Sequence, residues 1–296
     1  MFCRHWRPIS TAIRHQARAF TIAIDGPAAS GKSSTARAVA LELGLGYIDS
    51  GSIYRCATLL ALRNKISDID AQHADLISLI SHSKFDIRIL RNVRDPTTLG
   101  TGSVVVPELQ VWLNNEDVSK EIRCADVNRF VAEIARDAGV RAEVLKIQRS
   151  VAANAEKKSA AAADGTTPNG VVMDGRDIGS AVFPNAELKV YLDASAMARA
   201  IRRWDQMNSA RNAQGKRSEE DGAQTEKPAY PTVEEIAREI EERDYADINR
   251  AHSPLRIAPD AVVIDNTNLT FEQQVHTISD LARERMSIPR KHEDSI

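Results

Sequence analysis

The sequence predicts an α/β fold, a five-stranded parallel sheet carrying a small antiparallel insertion and a helical lid. Three observations predict it. Short apolar runs alternate with stretches of helical periodicity, which implies parallel, right-handed βαβ units. Between about residues 84 and 119 the texture changes to two-residue alternation, the mark of half-buried antiparallel strands. A glycine-rich turn of defined form joins the first apolar run to the first helix. The chain has 296 residues, 43% hydrophobic and 27% charged, enough for one large domain with insertions.

Composition narrows the function classes. No run approaches the ~18 apolar residues of a membrane span, so no membrane partner is expected. A net charge of −2 gives no broad basic footprint for nucleic acid, and none is expected as a partner. Cys3, Cys56 and Cys124 show no CxxC or Cys/His ligand spacing, which argues against a disulfide framework and a structural zinc site.

Residues 1–20 contain Arg4, Arg7, Arg14 and Arg18, and the first acid is Asp25. An Arg-rich, acid-free start has the composition of a mitochondrial transit peptide, so a mitochondrial location is expected. The alternative is a basic tail on a cytoplasmic protein. TIAID (21–25) reads as the first strand. KSSTARAVALELG (32–44) spaces Ala36, Val39, Ala40 and Leu43 at helix periodicity and closes on Gly44. YID (47–49) is a second strand, followed by a helix over about 52–63. KFDIRIL and ELQVWLNNEDVS supply the antiparallel insertion. One helical stretch is expected over about 122–160. GVVMD (170–174), LKVYLD (188–193) and AVVID (261–265) complete five core strands. Residues 152–169, 208–230 and 287–296 are polar, without apolar periodicity, and are expected to be mobile.

GPAASGKS (26–33) fits G-x-x-x-x-G-K-[ST] between a strand and a helix. Gly26 and Gly31 let the backbone curl so that successive N–H groups face one hollow at the positive end of a helix. Lys32 adds a mobile charge for the β/γ-phosphates, and the Ser33 hydroxyl is suited to Mg²⁺. The motif predicts a bound nucleoside triphosphate and leaves the acceptor open.

Three further stretches look ligand-directed. VVMDGRDIGS (171–180) ends a buried strand by delivering Asp174, Arg176 and Asp177 together, at the sheet edge where open α/β folds hold ligands. DASAMARAIRRW (193–204) puts Arg199, Arg202 and Arg203 on one helix face, where like charges repel and an anion is wanted; a lid closing on the transferring phosphate fits. TVEEIAREIEERDYADINR (232–250) opens with Thr232 and Glu235 in capping-box register. Its apolar stripe, Val233, Ile236 and Ile240, then runs into Arg243, Asp247 and Arg250, so a core-facing surface turns charged halfway along.

These motifs resemble the bacterial-type cytidylate (CMP/dCMP) kinases, a P-loop nucleoside monophosphate kinase family. The resemblance rests on IAIDGPAASGKSS (22–34), YIDSGSIYR (47–55), DVSKEIR (117–123), VRAEVLKIQR (140–149), MDGRDIGSAVFPNAELKVYLDAS (173–195), ERDYADINR (242–250) and IDNTNLT (264–270), in that order. It implies a kinase domain over 21–286, with a β-rich NMP-binding insertion at about 84–119, a lid with a polar insertion at about 195–232, and a disordered tail at 287–296. It implies phosphoryl transfer from ATP, with Mg²⁺, to CMP or dCMP by a monomer. Gly26, Pro27, Ala28, Ala29, Ser30, Gly31, Lys32, Ser33 and Ser34 would hold ATP. Ser50, Arg141 and Asp177 match positions at the cytosine base, and Arg55 and Arg176 match arginines near the acceptor phosphate. Arg243, Asp247 and Arg250 match residues around the acceptor's sugar and phosphate. Lys32, Arg176, Arg199, Arg202 and Arg203 would stabilise the transferring charge. Asp174 is open between Mg²⁺, acceptor positioning and a pair with Arg176. Ala132 stands where the family has a serine that helps read the base, and Ala138 where it usually has proline. A kinase for UMP, AMP or shikimate, or a silent nucleotide-binding protein, are the rival readings.

Overall fold

A computed structural model describes residues 19–90, 108–161, 170–220 and 231–287. The main sheet is parallel, in the order β2 (Gly46–Asp49), β6 (Gly170–Gly175), β1 (Phe20–Asp25), β7 (Leu188–Asp193), β8 (Val262–Asp265). These are the five strands expected. β1 and β6 are buried at every position, as strands covered on both faces require. The 1-to-1 register of Phe20 with Gly170 and of Asp25 with Gly175 brings both strands to the same edge together.

That edge is acidic by construction. Asp25, Asp49, Asp193 and Asp265 are the last residues of their strands, and Asp174 is the last but one of β6. Asp193 and Asp265 turn onto local backbone, accepting from the N–H groups of Ala194 and Thr267. Asp49 caps α2 by accepting from Ser52 N–H, while Asp25 and Asp174 take part in the site described below.

Around the sheet pack α1 (Lys32–Leu43), α2 (Ser50–Arg63), α3 (His73–His82), α4 (Ala125–Ile134), α5 (Ala138–Ala161) and α8 (Phe271–Ser287). α1 ends on Gly44 at φ 68°, whose N–H returns to Ala40 and Leu41 carbonyls. The insertion is a three-stranded antiparallel sheet, β3 (Phe85–Leu90), β4 (Glu108–Leu113) and β5 (Glu116–Asp117); 91–107 lie outside the described residues. Its inward residues Ile87, Leu109, Val111 and Leu113 join the main core.

Three expectations change. The helix placed over 122–160 is a 3₁₀ turn at Glu121–Arg123 followed by α4 and α5, with Asp137 accepting from Val140 N–H to start the second. Apolar spacing carried no sign of that Asx start. α5 continues to Ala161, into the stretch read as mobile, and 162–169 lie outside the described residues. α6 (Ala196–Glu220) likewise enters the polar 208–230 segment, while 221–230 lie outside the described residues. Ala, Arg, Gln, Lys and Glu there are good helix formers whatever their apolar pattern. The tail 288–296 and residues 1–18 are also outside the described residues.

α6 and α7 (Val233–Asn249) form a hairpin with its own small core, Ala200, Ile236, Ala237 and Ile240, separate from the main one. α7 begins in the expected capping box, with Thr232 Oγ1 accepting from Glu235 N–H and Glu235 accepting from Thr232 N–H.

Candidate active site

The turn between β1 and α1 is shaped by two glycines. Gly26 has φ 152°, and a Cβ there would lie 2.2 Å from the Leu192 carbonyl oxygen of β7, so only glycine lets the turn leave the sheet at this point. Gly31 precedes α1 at φ 85°, and Ala29 also adopts a left-handed φ of 57°. Alternating hand of this kind makes a concave nest of N–H groups at the helix's positive end. Lys32 is buried and its Nζ donates to Pro27 O at 2.7 Å. Burial, then the nearby Arg176, holds that amine well below its ordinary range, against the pull of Asp174, Asp25 and Asp247.

Asp174 does not pair with Arg176. Its Oδ2 accepts from Ser33 Oγ at 2.6 Å and its Oδ1 from Tyr47 OH at 2.7 Å. Burial, and then the charge of Asp49, raises its pKa to about 6. Asp25 is raised to about 6 as well, by burial, although Oδ1 and Oδ2 accept from Ile178 and Gly179 N–H at 2.8 and 2.7 Å. Asp25 thereby ties the end of β1 to the π-helical turn Ile178–Val182 just behind Asp177.

Both raised carboxyls have a stability consequence. Unfolded aspartate titrates near ~3.9, so between about pH 4 and 6 the folded protein holds more protons than the unfolded one. The contribution is fully present below the unfolded pKa and is lost as pH rises through about 6. Asp174→Asn removes that loss. In urea unfolding, wild-type stability relative to Asp174→Asn is expected to fall by roughly 2–3 kcal/mol from pH 4 to pH 7; a flat difference would refute it.

On the other side of the crevice, Arg141 and Asp177 form a buried pair, Nη2 to Oδ2 at 2.5 Å, with Arg141 also donating to Ala135 O at 3.2 Å. Arg141 lies 5.6 Å from the Tyr54 ring centre. Arg250 approaches Asp177 at 3.8 Å and Asp247 at 3.6 Å and donates from Nε to Ser253 O. Arg141 Nε and Arg250 Nη2 are buried without a hydrogen bond. A cavity of about 370 Å³ opens here, lined by Arg136, Arg141, Arg250 and His252 among others. Ser50 is buried, and a Cβ on Gly175 would meet its Oγ at 2.6 Å, so Ser50 sits hard against the end of β6. Ala132, on α4, is exposed.

Between these two corners lies a positive field. Arg176 donates from Nε to Asp247 Oδ2 at 2.8 Å. Arg55 donates to Ile122 O and Asn128 Oδ1. Loss of water, then Arg123, lowers the Arg55 pKa, and Arg243 and Arg203 add to it. Loss of water and then Arg176 does the same at Arg243. Neither Arg203 nor Arg243 makes a hydrogen bond or ion pair among the described residues. Arginines brought together in this way, with fewer carboxylates than guanidinium groups among them, make an anion site.

The other two lid arginines are placed differently from the expectation that all three face the phosphate. Arg199 is buried, donating to Asp244 Oδ2, Ala28 O and Ala194 O. Arg202 donates to Asn266 Oδ1 and to the carbonyls of Asn266 and Thr267. Asn266 in turn donates to Ser30 O and to Gln274, which reaches Thr35 in α1. Sequence reasoning missed Asp25, Tyr47, Asp244 and Asn266. Asp244 was within reach, because the stripe from Ile240 continues to i+4 as well as i+3.

The family model described as Cytidylate kinase matches residues 22–284. A cytidylate kinase of Desulforamulus reducens is 39% identical over 258 residues, 87% of this chain and 94% of its own length. One from Flavobacterium psychrophilum is 35% identical over 262 residues, 88% of this chain and 96% of its own. A bifunctional pantoate ligase/cytidylate kinase of Synechococcus sp. is 37% identical over 267 residues, 90% of this chain; the chain spans 41% of that protein's length. These relatives are bacterial, which overturns the mitochondrial location expected from residues 1–20. An arginine-rich, acid-free composition is not specific to transit peptides, and composition was all that supported the expectation. No helix among the described residues is long and apolar enough to cross a membrane. Motifs in order, a phosphate nest facing an arginine field, and matched relatives along nearly their whole length converge: the chain belongs to the cytidylate kinase family.

Proposed function

We infer that this chain transfers a phosphoryl group from ATP to the 5′-phosphate of CMP and dCMP. The observation that carries the reading is the Asp177 corner. Arg141 Nε and Arg250 Nη2 stay buried without hydrogen bonds beside the Asp177 carboxylate, unsatisfied donors around an acceptor group. Cytosine offers the converse, a 4-amino donor with N3 and O2 acceptors, whereas uracil presents an acceptor in place of that amine. A buried polar site rejects a partner that leaves its groups unpaired, so this corner favours cytosine strongly.

Residues 26–34 hold the donor triphosphate in the N–H nest. The NMP-binding insertion (about 84–119) and the lid (about 195–232) enclose the acceptor, with Ser50, Arg141 and Asp177 at the base and Arg55, Arg176, Arg243, Asp247 and Arg250 at sugar and phosphate. The attacking oxygen belongs to an ionised phosphate and needs no general base, so alignment and charge stabilisation carry the rate. Lys32 leaves Pro27 O to neutralise the transferring group, and Arg203, Arg243 and Arg176 surround it. Ser33 Oγ and Asp174, 2.6 Å apart and with Asp49 nearby, fit a Mg²⁺ ion, since a cation relieves the carboxylate charge that burial opposes. Held there, the ion would supply positive charge to offset that of the transferring phosphates. Among the described residues no cluster of three His, Cys, Asp or Glu forms a metal cage, and Mg²⁺ held by a hydroxyl, water and phosphates needs none. The proposed enzyme acts as a monomer.

A panel of CMP, dCMP, UMP, AMP and shikimate with ATP and Mg²⁺ tests this. CMP and dCMP are expected to be used at least 10²-fold better, by kcat/KM, than the rest. Preference for another acceptor, or ATP binding without turnover on any, would overturn it.

A further inference from the structure

α7 touches both halves of the site from a single turn. Asp247 accepts from Arg176 in the loop that follows β6. Three residues earlier, Asp244 Oδ1 accepts from Ala28 N–H in the phosphate loop at 2.9 Å. The other oxygen, Oδ2, accepts from Arg199 Nη1 of α6 at 2.6 Å, and the same Nη1 donates to Ala28 O at 2.8 Å. Both backbone polar groups of Ala28 are therefore held by the lid hairpin, one by each helix. Ala28, Arg199 and Asp244 are all buried. The hairpin's apolar residues pack on each other and not into the main core, so polar ties such as these set where it sits on the sheet edge.

We propose that Asp244, clasped by Arg199, is a positioning residue for phosphoryl transfer: it fixes the lid hairpin on the phosphate loop, so that α7 sets the distance between the donor held by that loop and the acceptor held around Arg176 and Asp247. The proposal rests on the function inferred above. Asp244 reaches the reacting groups only through Ala28 and α7. Its carboxylate takes an N–H early in the loop, leaving the later N–H groups to the triphosphate, and Arg199 cancels its charge beside that anion. Misplacing reactants by about 1 Å costs on the order of 10²-fold in rate, so a clasp of this kind acts on kcat more than on binding.

Asp244→Asn keeps an acceptor for Ala28 and loses the ion pair; it is expected to lower kcat roughly 10- to 100-fold while KM for ATP and for CMP stay within about threefold. The decisive variant is Asp244→Leu with Arg199→Met. An apolar pair of similar size commonly restores the stability that a broken buried ion pair removes, so this double variant is expected to unfold at or near the wild-type temperature and still show the reduced kcat. Recovery of both stability and kcat would make the pair merely structural and overturn the proposal. Wild-type kcat in Asp244→Asn would also overturn it. Wild-type protein that turns over no acceptor would sink the functional reading, an outcome separable from the other two because it needs no variant.

Discussion

Replacing Lys32 with methionine is expected to lower kcat for CMP phosphorylation on the order of 10³-fold while the protein stays folded. Removing a single pre-positioned donor to developing charge costs about 10²–10³-fold, and Lys32 is the loop's only cation, with Nζ parked 2.7 Å from Pro27 O. Folding is spared for a definite reason. The amine is buried and its pKa is pressed well down by burial and by Arg176, so a charge at this place is disfavoured unless an anion stands beside it. Methionine fills the same channel without that cost. The checks are a steady-state assay and a thermal unfolding curve on the same preparation. Turnover at the wild-type rate would remove Lys32 from the mechanism. Loss of rate matched by loss of the folded fraction would make it a structural lysine.

The second large effect belongs to Asp177. Asp177→Asn keeps the volume and replaces one carboxylate oxygen with a donor; kcat/KM for CMP is expected to fall roughly 10³-fold, and the preference for CMP over UMP to collapse, with KM for ATP unchanged. Stability will fall too, since Arg141 is left buried with its charge uncompensated. That loss is separable, because it affects donor and acceptor alike, whereas base reading affects the acceptor alone. Equal loss of ATP binding and CMP turnover would take Asp177 out of the base corner.

Much of this was legible before any coordinates. β-strand runs ending in acid, the glycine-rich turn and the charged continuation of the α7 stripe are periodic or positional signals, and periodicity reports which face is buried. Hence all five strands and the phosphate loop stood where the pattern put them. What periodicity cannot report is which partner a buried charge chooses. Arg199, Arg202 and Arg203 are equivalent in sequence, yet among the described residues two are bonded to protein acceptors and the third is not. Asp174, two residues from Arg176 in the chain, turns to Ser33 and Tyr47, brought to it by β1 and β2. Such choices are fixed by strand order, which adjacent residues do not encode. The end of α6 escapes the same test because its sequence carries no apolar stripe.

Strand order has one more outcome, in the time domain. β1 carries the phosphate loop at the centre of the sheet, and its two neighbours are β6 and β7. Phe20 pairs with Gly170, and Ile22 with Leu188. On a ribosome adding ~5–20 residues per second, the strand FTIAID therefore waits roughly 10–30 s for its first partner to be synthesised. Through that interval the apolar strand is unpaired on both edges, and the nucleotide-binding loop has no frame to hold its curl. The nascent chain can gain no affinity for ATP until β6 and β7 have emerged, so substrate cannot assist the early stages of folding, and a chaperone that shields short apolar strands has a long window in which to act.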